Sequence, residues 1–242
     1  MLSEQTIVRI MQFWAGHLGC SAAVLRDPGV KVLGGARPGT MFIFRYQDAC
    51  LWQVHADSVA STVAILDQRL PVAQAFSEGF VRNTIGPALN RLLGPCPLGY
   101  CDARTFRRDA VATQCRQLIP SDHAEVDDLA RACGAEAWEH GGVDLPTQPA
   151  VFGYFEGGRL VAAASYEIWG SAIAHVGVAT APDWRGRGLG KIVATAATAD
   201  ALERGLVPQW RTLASNVASV SVGRAIGYQP VAAHFFAGLR ST

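Results

Sequence analysis

The stretch Arg185-Gly186-Arg187-Gly188-Leu189-Gly190 sets three glycines at alternate positions directly ahead of a long apolar helical pattern. The first amides of a helix have no intrahelical acceptor, and glycines let an anion approach the backbone closely. A junction of this kind suits a phosphate or pyrophosphate, with the helix dipole adding a modest favourable field. Arg185 and Arg187 either add charge there or face solvent. Two other glycine-loop chemistries do not fit. A Walker-type loop follows its Gly-Lys pair with a hydroxyl residue that holds Mg²⁺, whereas Gly190-Lys191 is followed by Ile192. A dinucleotide fingerprint needs a buried parallel strand before it and an acidic residue about 20 positions on. Here hairpin strands precede the loop, and Glu203 falls inside the helix that follows.

Groups able to move protons lie close to the loop in sequence. His175, of a type that titrates near neutrality, sits on the strand leading into it, and Glu167 on the strand before. Either one has a plainer reading, as a hydrogen-bonded strand histidine or an exposed strand carboxylate. Tyr166, Tyr228 and His234 are weaker candidates. The six cysteines, at 20, 50, 96, 101, 115 and 133, form no CxxC pair, and nothing completes a tetrahedral set around His17 and Cys20. They read as reduced structural thiols, with no metal site.

These groups need elements to position them. Ala150–Phe155, Arg159–Ile168 and Ala172–Thr180 form an antiparallel meander with tight turns at Gly157-Gly158 and Gly170. Leu189–Arg204 is a helix ended by Gly205, and Pro208–Ala214 a strand. A helix from Asn216 to Ile226 and a last strand or pair from Tyr228 to Phe236 complete this half. Ahead of the meander, Arg116–Ile119 is a short strand and Ser121 or Asp122 caps a helix to about Cys133. Residues 1–115 carry no nucleotide loop or nucleophile motif. Ile7, Ile10, Met11, Trp14 and Leu18 share one helical face, and Thr40–Tyr46 with Ala49–His55 reads as a hairpin. Helices follow to about Leu93, stopped by Gly94-Pro95-Cys96-Pro97. The expected domains are 1–115, an ancillary α+β domain, and 116–242.

With 242 residues, half of them apolar, the chain has material for a real core. A formal net charge of +1 gives no long-range field to steer a polyanion, so nucleic acid is not an expected partner. No stretch is long and apolar enough to span a bilayer, and the N-terminus lacks the pattern of a signal peptide. A cytoplasmic location is the expectation.

From Gln117 onward, the order of elements and the loop together resemble the GNAT superfamily of acetyl-CoA-dependent N-acetyltransferases. The family's loop is Arg or Gln, two residues, Gly, one residue, then Gly or Ala, and Arg185, Gly188 and Gly190 fill those places within Val176–Lys191. Asn216, Ser219 and the Gly227-Tyr228 pair match a second family pattern. The N-terminal part more loosely resembles the extra half of some bacterial members. The resemblance implies an α+β fold: a bent mixed sheet flanked by helices, preceded by a smaller α+β domain. It implies that acetyl-CoA, as cosubstrate, sets its pyrophosphate on Arg185, Gly186, Arg187, Gly188, Leu189, Gly190 and Lys191. Its pantetheine would pair with Val178, Ala179 and Thr180, with a bulge near there. Asn216 would either approach the pantetheine or adenine or cap the following helix.

The implied reaction is direct attack of an amine on the thioester, with no metal. His175 is the first choice of base, directly or through one water, and Glu167 the second. Many family members place a tyrosine seven residues after the asparagine as the acid; here that position is Gly223, and Tyr228, five residues further, is a weak substitute. The 134–149 segment, with Trp138, Glu139, His140 and Asp144, would line the acceptor pocket for a small-molecule amine. Oligomeric state stays open between monomer and homodimer. The alternative function is a CoA-binding regulatory or interaction protein with little or no transferase activity.

Overall fold

A computed structural model describes residues 1–66, 70–108, 114–145 and 147–240. The side chain of His140 and all of Pro146, both within the expected acceptor segment, lie outside the described residues. In chain order the elements are α1 (Glu4–Leu18), α2 (Ala22–Arg26), β1 (Gly29–Leu33), β2 (Thr40–Tyr46), β3 (Ala49–Gln53), α3 (Val59–Ile65), α4 (Val72–Ala75), α5 (Glu78–Ile85) and β4 (Leu89–Tyr100). There follow β5 (Cys115–Gln117), α6 (His123–Cys133), α7 (Ala135–Gly141), β6 (Val151–Glu156), β7 (Arg159–Trp169), β8 (Ile173–Thr180), α8 (Leu189–Glu203), β9 (Val207–Arg211), α9 (Val217–Ile226) and β10 (Gln229–Leu239). The class is mixed α+β, as expected. The chain makes two compact units: one from Met1–Thr6, Tyr100–Arg211 and Ala218–Gln229, the other from Ile7–Gly99, Thr212–Val217 and Pro230–Thr242.

In the first unit the strands lie in the order β9-β8-β7-β6-β5. β5, β6, β7 and β8 pair antiparallel in succession, and β9 is parallel to β8. Strand side chains alternate between faces, so register sorts the residues. Ala162, Ala164, Tyr166, Ala174, Val176 and Trp210 share a core with Leu189, Val193, Ala194, Ala197 and Ala201 of α8. The run of alanines keeps α8 slim on this side, which lets it lie close to the sheet. Its two buried threonines donate back to the helix, Thr195 to the Lys191 carbonyl and Thr198 to that of Ala194. The opposite face is covered by α6 and the following segment, where Leu118, Val126, Leu129, Val143, Leu160 and Ala163 pack together. Arg116 grips Asp122 with both guanidinium nitrogens, at 2.7 Å each, and Asp122 also accepts the Ile119 amide at the start of α6.

Asp102, 8% exposed, ties the first residues of the chain to this unit. Its carboxylate accepts the Ser3 amide at 2.7 Å and the Thr6 hydroxyl at 3.1 Å, and also the amides of Arg104 and Thr105.

In the second unit the order is β1-β3-β2-β10-β4, with β1 parallel to β3 and β2 antiparallel to both β3 and β10. Ile10, Met11, Trp14 and Leu18 of α1 are buried, the face that the 3.6-residue period picks out. Ile43, Trp52, Phe76, Val81 and Phe235 form the core of the sheet's packing.

The structure departs from the sequence reading at four places. Leu89–Tyr100 is a strand, not the end of a helix. Prolines argue against a strand because they donate nothing to a ladder, yet here the constraint that wins is close approach. A methyl on Gly94 would sit 2.7 Å from the Phe235 ring and 2.8 Å from the His234 carbonyl, so glycine is what lets β4 run beside β10. β1 is an added strand that its short, turn-flanked sequence hides. α3 ends at Ile65; the expected continuation through 67–69 lies outside the described residues. No bulge interrupts β7 against β8, which pair in unbroken register from Ala162↔Thr180 to Trp169↔Ile173. The irregularity falls at Tyr154/Phe155 instead.

Candidate functional site

β8 and β9 pair only over Ile173↔Val207, Ala174↔Pro208 and His175↔Gln209. β9 ends two residues later, at Arg211, while β8 runs on to Thr180, and over that stretch β7 is its ladder partner among the described residues. The edge of Val176–Thr180 turned away from β7 therefore carries backbone groups beyond the reach of the β9 ladder. A segment of extended shape with amide groups is the kind of ligand such an edge accepts.

At the far end of that edge the chain turns through Pro182–Trp184 into the glycine loop. Gly186 and Gly188 both have φ 78°, a left-handed conformation that costs other residues energy, and Gly188 is the N-cap of α8. Nothing lies within 4 Å of where a methyl on either would stand. These two glycines are thus set by backbone conformation and not by crowding. The amides of Lys191 and Ile192 close onto the Gly188 carbonyl. Those from Gly186 to Gly190 meet no acceptor among the described residues, so the loop presents consecutive donors to whatever anion sits there. Gly190 is closer to its neighbours: a methyl there would be 3.2 Å from the Thr180 hydroxyl. The two arginines have local partners. Arg185 Nε donates to the Thr180 carbonyl at 3.1 Å, and the Arg187 guanidinium lies 4.6 Å from the Trp184 ring centre.

The other face of β7–β9, away from α8, carries the proton-moving groups. Glu167 and His175 are cross-strand partners, and His175 and Gln209 likewise. The His175 ring stacks on Trp169 at 4.2 Å between centroids, and Trp169 Nε1 donates to Glu167 at 3.0 Å. The Arg211 guanidinium lies 5.2 Å from the Trp169 ring centre. Gln209, fully buried, takes His175 Nδ1 at 3.1 Å on its Oε1 and donates from Nε2 to the Tyr100 hydroxyl at 2.7 Å. Sequence reading missed Gln209 and Tyr100; a lone polar residue in an apolar strand was the available signal. The end of α7 lies on this face too: a methyl on Gly141 would collide with the Val178 carbonyl, and one on Gly177 would be 3.4 Å from that of Gly142. Trp138 packs into the apolar cluster there, while Glu139 and Asp144 are exposed.

The remaining candidates sit elsewhere. Tyr228 is 5% exposed, with its hydroxyl 2.8 Å from that of Thr198, and burial pushes its phenol well above the ordinary value. Tyr166 is fully buried and donates to Asp200 of α8; burial, then that carboxylate, raises it too. Neither hydroxyl is on the His175 face. Asn216 is exposed in the turn before α9, its amide on the Leu213 carbonyl. His234 is buried in the second unit against Phe42. The gap at Gly223 has a steric cause. The Trp210 indole fills the space beside it, so that a methyl there would be 2.9 Å from the ring, and Trp210 Nε1 donates to Ser219 at 3.2 Å. All six cysteines are free thiols, and burial raises Cys50 to about 12 and Cys101 and Cys115 to about 11. Among the described residues, no helix is long and apolar enough to cross a membrane.

Residues 151–234 match the family model described as GNAT acetyltransferase. Among solved structures, the chain is similar to a protein assigned to the GNAT acetyltransferases from Novosphingobium aromaticivorans, at 25% identity and TM-score 0.49, over 64% of this chain and 69% of that one. It is similar to an acetyltransferase of the GNAT family from Colwellia psychrerythraea at 18% identity and TM-score 0.49, over 68% of this chain and 63% of that one, less than two thirds of its length. A GCN5-related N-acetyltransferase-like protein from Streptococcus suis is 17% identical with TM-score 0.47, over 84% and 85% of the two chains. No curated protein matches the chain.

Proposed function

With residues 151–234 forming a GNAT acetyltransferase domain, we propose that this protein transfers the acetyl group of acetyl-CoA to an amine of a small molecule, by direct attack when both substrates are bound. The observation that carries the reading is the run of unpartnered amides from Gly186 to Gly190 at the mouth of α8, reached along the edge of β8 that β9 leaves uncovered. The spacing fits the cosubstrate: an anion-binding end, then an extended strand edge, then a cluster of proton-moving side chains.

In this reading Gly186, Arg187, Gly188, Leu189 and Gly190 hold the diphosphate through their amides, and Lys191, whose amide is taken by the Gly188 carbonyl, contributes its side-chain charge. Arg185 stays on the Thr180 carbonyl and braces the loop. Backbone groups of Val178 and Thr180 receive the amide-bearing arm, while those of Ala179, between them, turn toward β7. Acetyl-CoA supplies the acyl group as a thioester, which needs no metal to be attacked by a neutral amine. His175 takes the proton that the amine loses, directly or through one water, as the new carbon–nitrogen bond forms and the carbon–sulfur bond breaks; CoA leaves with that bond's electron pair as a thiolate, which takes its proton from solvent. Glu167, one strand away and fixed by Trp169, is the second candidate for that task. Tyr228 is committed to Thr198 inside the core and serves packing in this scheme. Holding both reactants side by side supplies much of the gain. Residues 116–242 carry the transfer chemistry and residues 1–115 an ancillary role.

One feature favours a second reading, a CoA-binding regulatory protein with little transfer: Trp210 occupies the space that a tyrosine at position 223 would need. A melting shift separates binding from no binding. Acetyl-CoA should raise the melting temperature while ATP and NAD leave it in place; equal shifts, or none, would remove the proposed cosubstrate. Thiol release across an amine panel then separates the two readings, since tight binding without turnover on any amine points to the regulatory one.

A further inference from the structure

We propose that Gln209 is a positioning residue that fixes the tautomer of His175, holding the hydrogen on Nδ1 so that Nε2 is the ring's basic nitrogen. The inference rests on the assignment of His175 as the proton acceptor and adds the device that prepares it.

The argument is one of donors and acceptors. An amide side chain has one oxygen that only accepts and one nitrogen that only donates. Gln209 Nε2 donates to the Tyr100 hydroxyl at 2.7 Å, which turns Oε1 toward the imidazole at 3.1 Å from Nδ1. An oxygen there can be satisfied only if Nδ1 carries the hydrogen. In a neutral ring the basic lone pair is then on Nε2. Free imidazole side chains in water prefer the opposite arrangement, with the hydrogen on Nε2, so this contact reverses the intrinsic preference. Gln209 and Tyr100 are both fully buried, and Tyr100 is backed by the Cys101 amide on the Pro208 carbonyl, one residue before Gln209. The amide is thereby held from both ends. A buried glutamine in a strand is costly unless its groups are satisfied, and here the satisfying partners are His175 and Tyr100. The ring plane is set separately by stacking on Trp169, whose Nε1 is anchored to Glu167. Position matters as well: His175↔Gln209 is the last rung of the β8–β9 ladder, at the point where the strands part.

The test reads the ring state directly. Full-length protein labelled with ¹⁵N-histidine should give the Nδ1–H pattern for neutral His175, assigned by its loss in His175→Ala. Gln209→Leu, which removes the acceptor, should return the ring to the Nε2–H form and lower kcat on the order of 10–100-fold with little change in the KM for acetyl-CoA, a loss smaller than the roughly 10²–10⁴-fold that removing a general base outright costs. Gln209→Glu keeps an acceptor in the same place, so it should preserve the Nδ1–H form and recover activity relative to Gln209→Leu. It also guards against a leucine variant that does not fold. An Nε2–H ring in the unaltered protein, or a ring state that ignores both substitutions, would overturn the proposal. A His175→Ala protein that keeps its full rate of thiol release from acetyl-CoA would instead end the base assignment while leaving the tautomer readout standing, so the two failures are distinguishable.

Discussion

Replacing Gly188 by valine tests the anion loop with a magnitude that follows from its geometry. Gly188 has φ 78°, and a methyl there would meet nothing within 4 Å, so the substitution is penalised by backbone conformation and not by collision. A β-branched residue forced into the left-handed region costs about 1–2 kcal/mol, which in a chain of this size lowers the melting temperature by roughly 2–8 °C. The alternative open to the protein is to relax the loop, which turns at least one amide of the donor run away from the anion. Losing one hydrogen bond to a charged group, about 1.5–3 kcal/mol, corresponds to roughly a 10–100-fold rise in Kd. Asparagine tolerates this conformation better than other side chains, so Gly188→Asn should lose markedly less on both scales. Calorimetric titration of CoA into both variants, alongside their melting curves, checks the ranking. A valine variant that is destabilised as expected yet binds CoA with unchanged affinity would refute the idea that these amides grip the diphosphate.

Three further outcomes are expected. The Arg116 guanidinium holds the Asp122 carboxyl down at about 2, below its unfolded value near 4, so the pair's stabilisation is complete above about pH 4 and is lost as pH falls through 4 toward 2. With the guanidinium about half exposed, the amount is about 1–2 kcal/mol, and denaturant curves of Asp122→Asn at pH 7 and pH 3 should show a gap from the unaltered protein that shrinks at the lower pH. Gly223→Leu should destabilise by about 1–3 kcal/mol because its side chain starts 2.9 Å from Trp210, and Trp210→Leu in the same chain should recover part of that loss; purely additive losses would show that the two do not share space. Asp102→Ala leaves four donors without their acceptor and should cost about 2–3 kcal/mol, with hydrogen exchange at the Ser3 amide accelerated; an unchanged urea midpoint would show that the anchor contributes nothing.

The parts of this molecule that sequence alone reveals are those whose cause is local. The 150–180 meander was legible because its strands alternate and its turns are glycine pairs, and α8 because an apolar run is bounded by Gly188 and Gly205. The anion loop needed no tertiary information, since unpaired amides at a helix start follow from chain geometry. What escaped has a non-local cause. β4 carries Pro95 and Pro97, which speak against a strand, and only the approach of Phe235 at Gly94 explains why the chain is extended there. The replacement at Gly223 was visible as a departure, but the reason, an indole thirteen residues earlier in the chain, was not. Likewise His175 could be nominated from its place in the chain, while the Gln209–Tyr100 support spans 109 residues and leaves no periodic trace. The bulge expected near Val178 came with the family resemblance; the gap beside β8 is opened instead by the early end of β9.

Each compact unit is stitched from three separate stretches of chain, with residues as early as Ser3 and as late as Gln229 in the same one. No single scissile point can therefore release either piece intact. A protease nick or a shortened expression clone, wherever it begins, would strip its product of a native neighbour: a version starting at residue 116 forfeits both the Asp102 latch and the Tyr100 phenol behind Gln209. Loss of order should consequently spread along the backbone in both directions from any break, and the smallest genetic parcel worth making encodes all 242 residues.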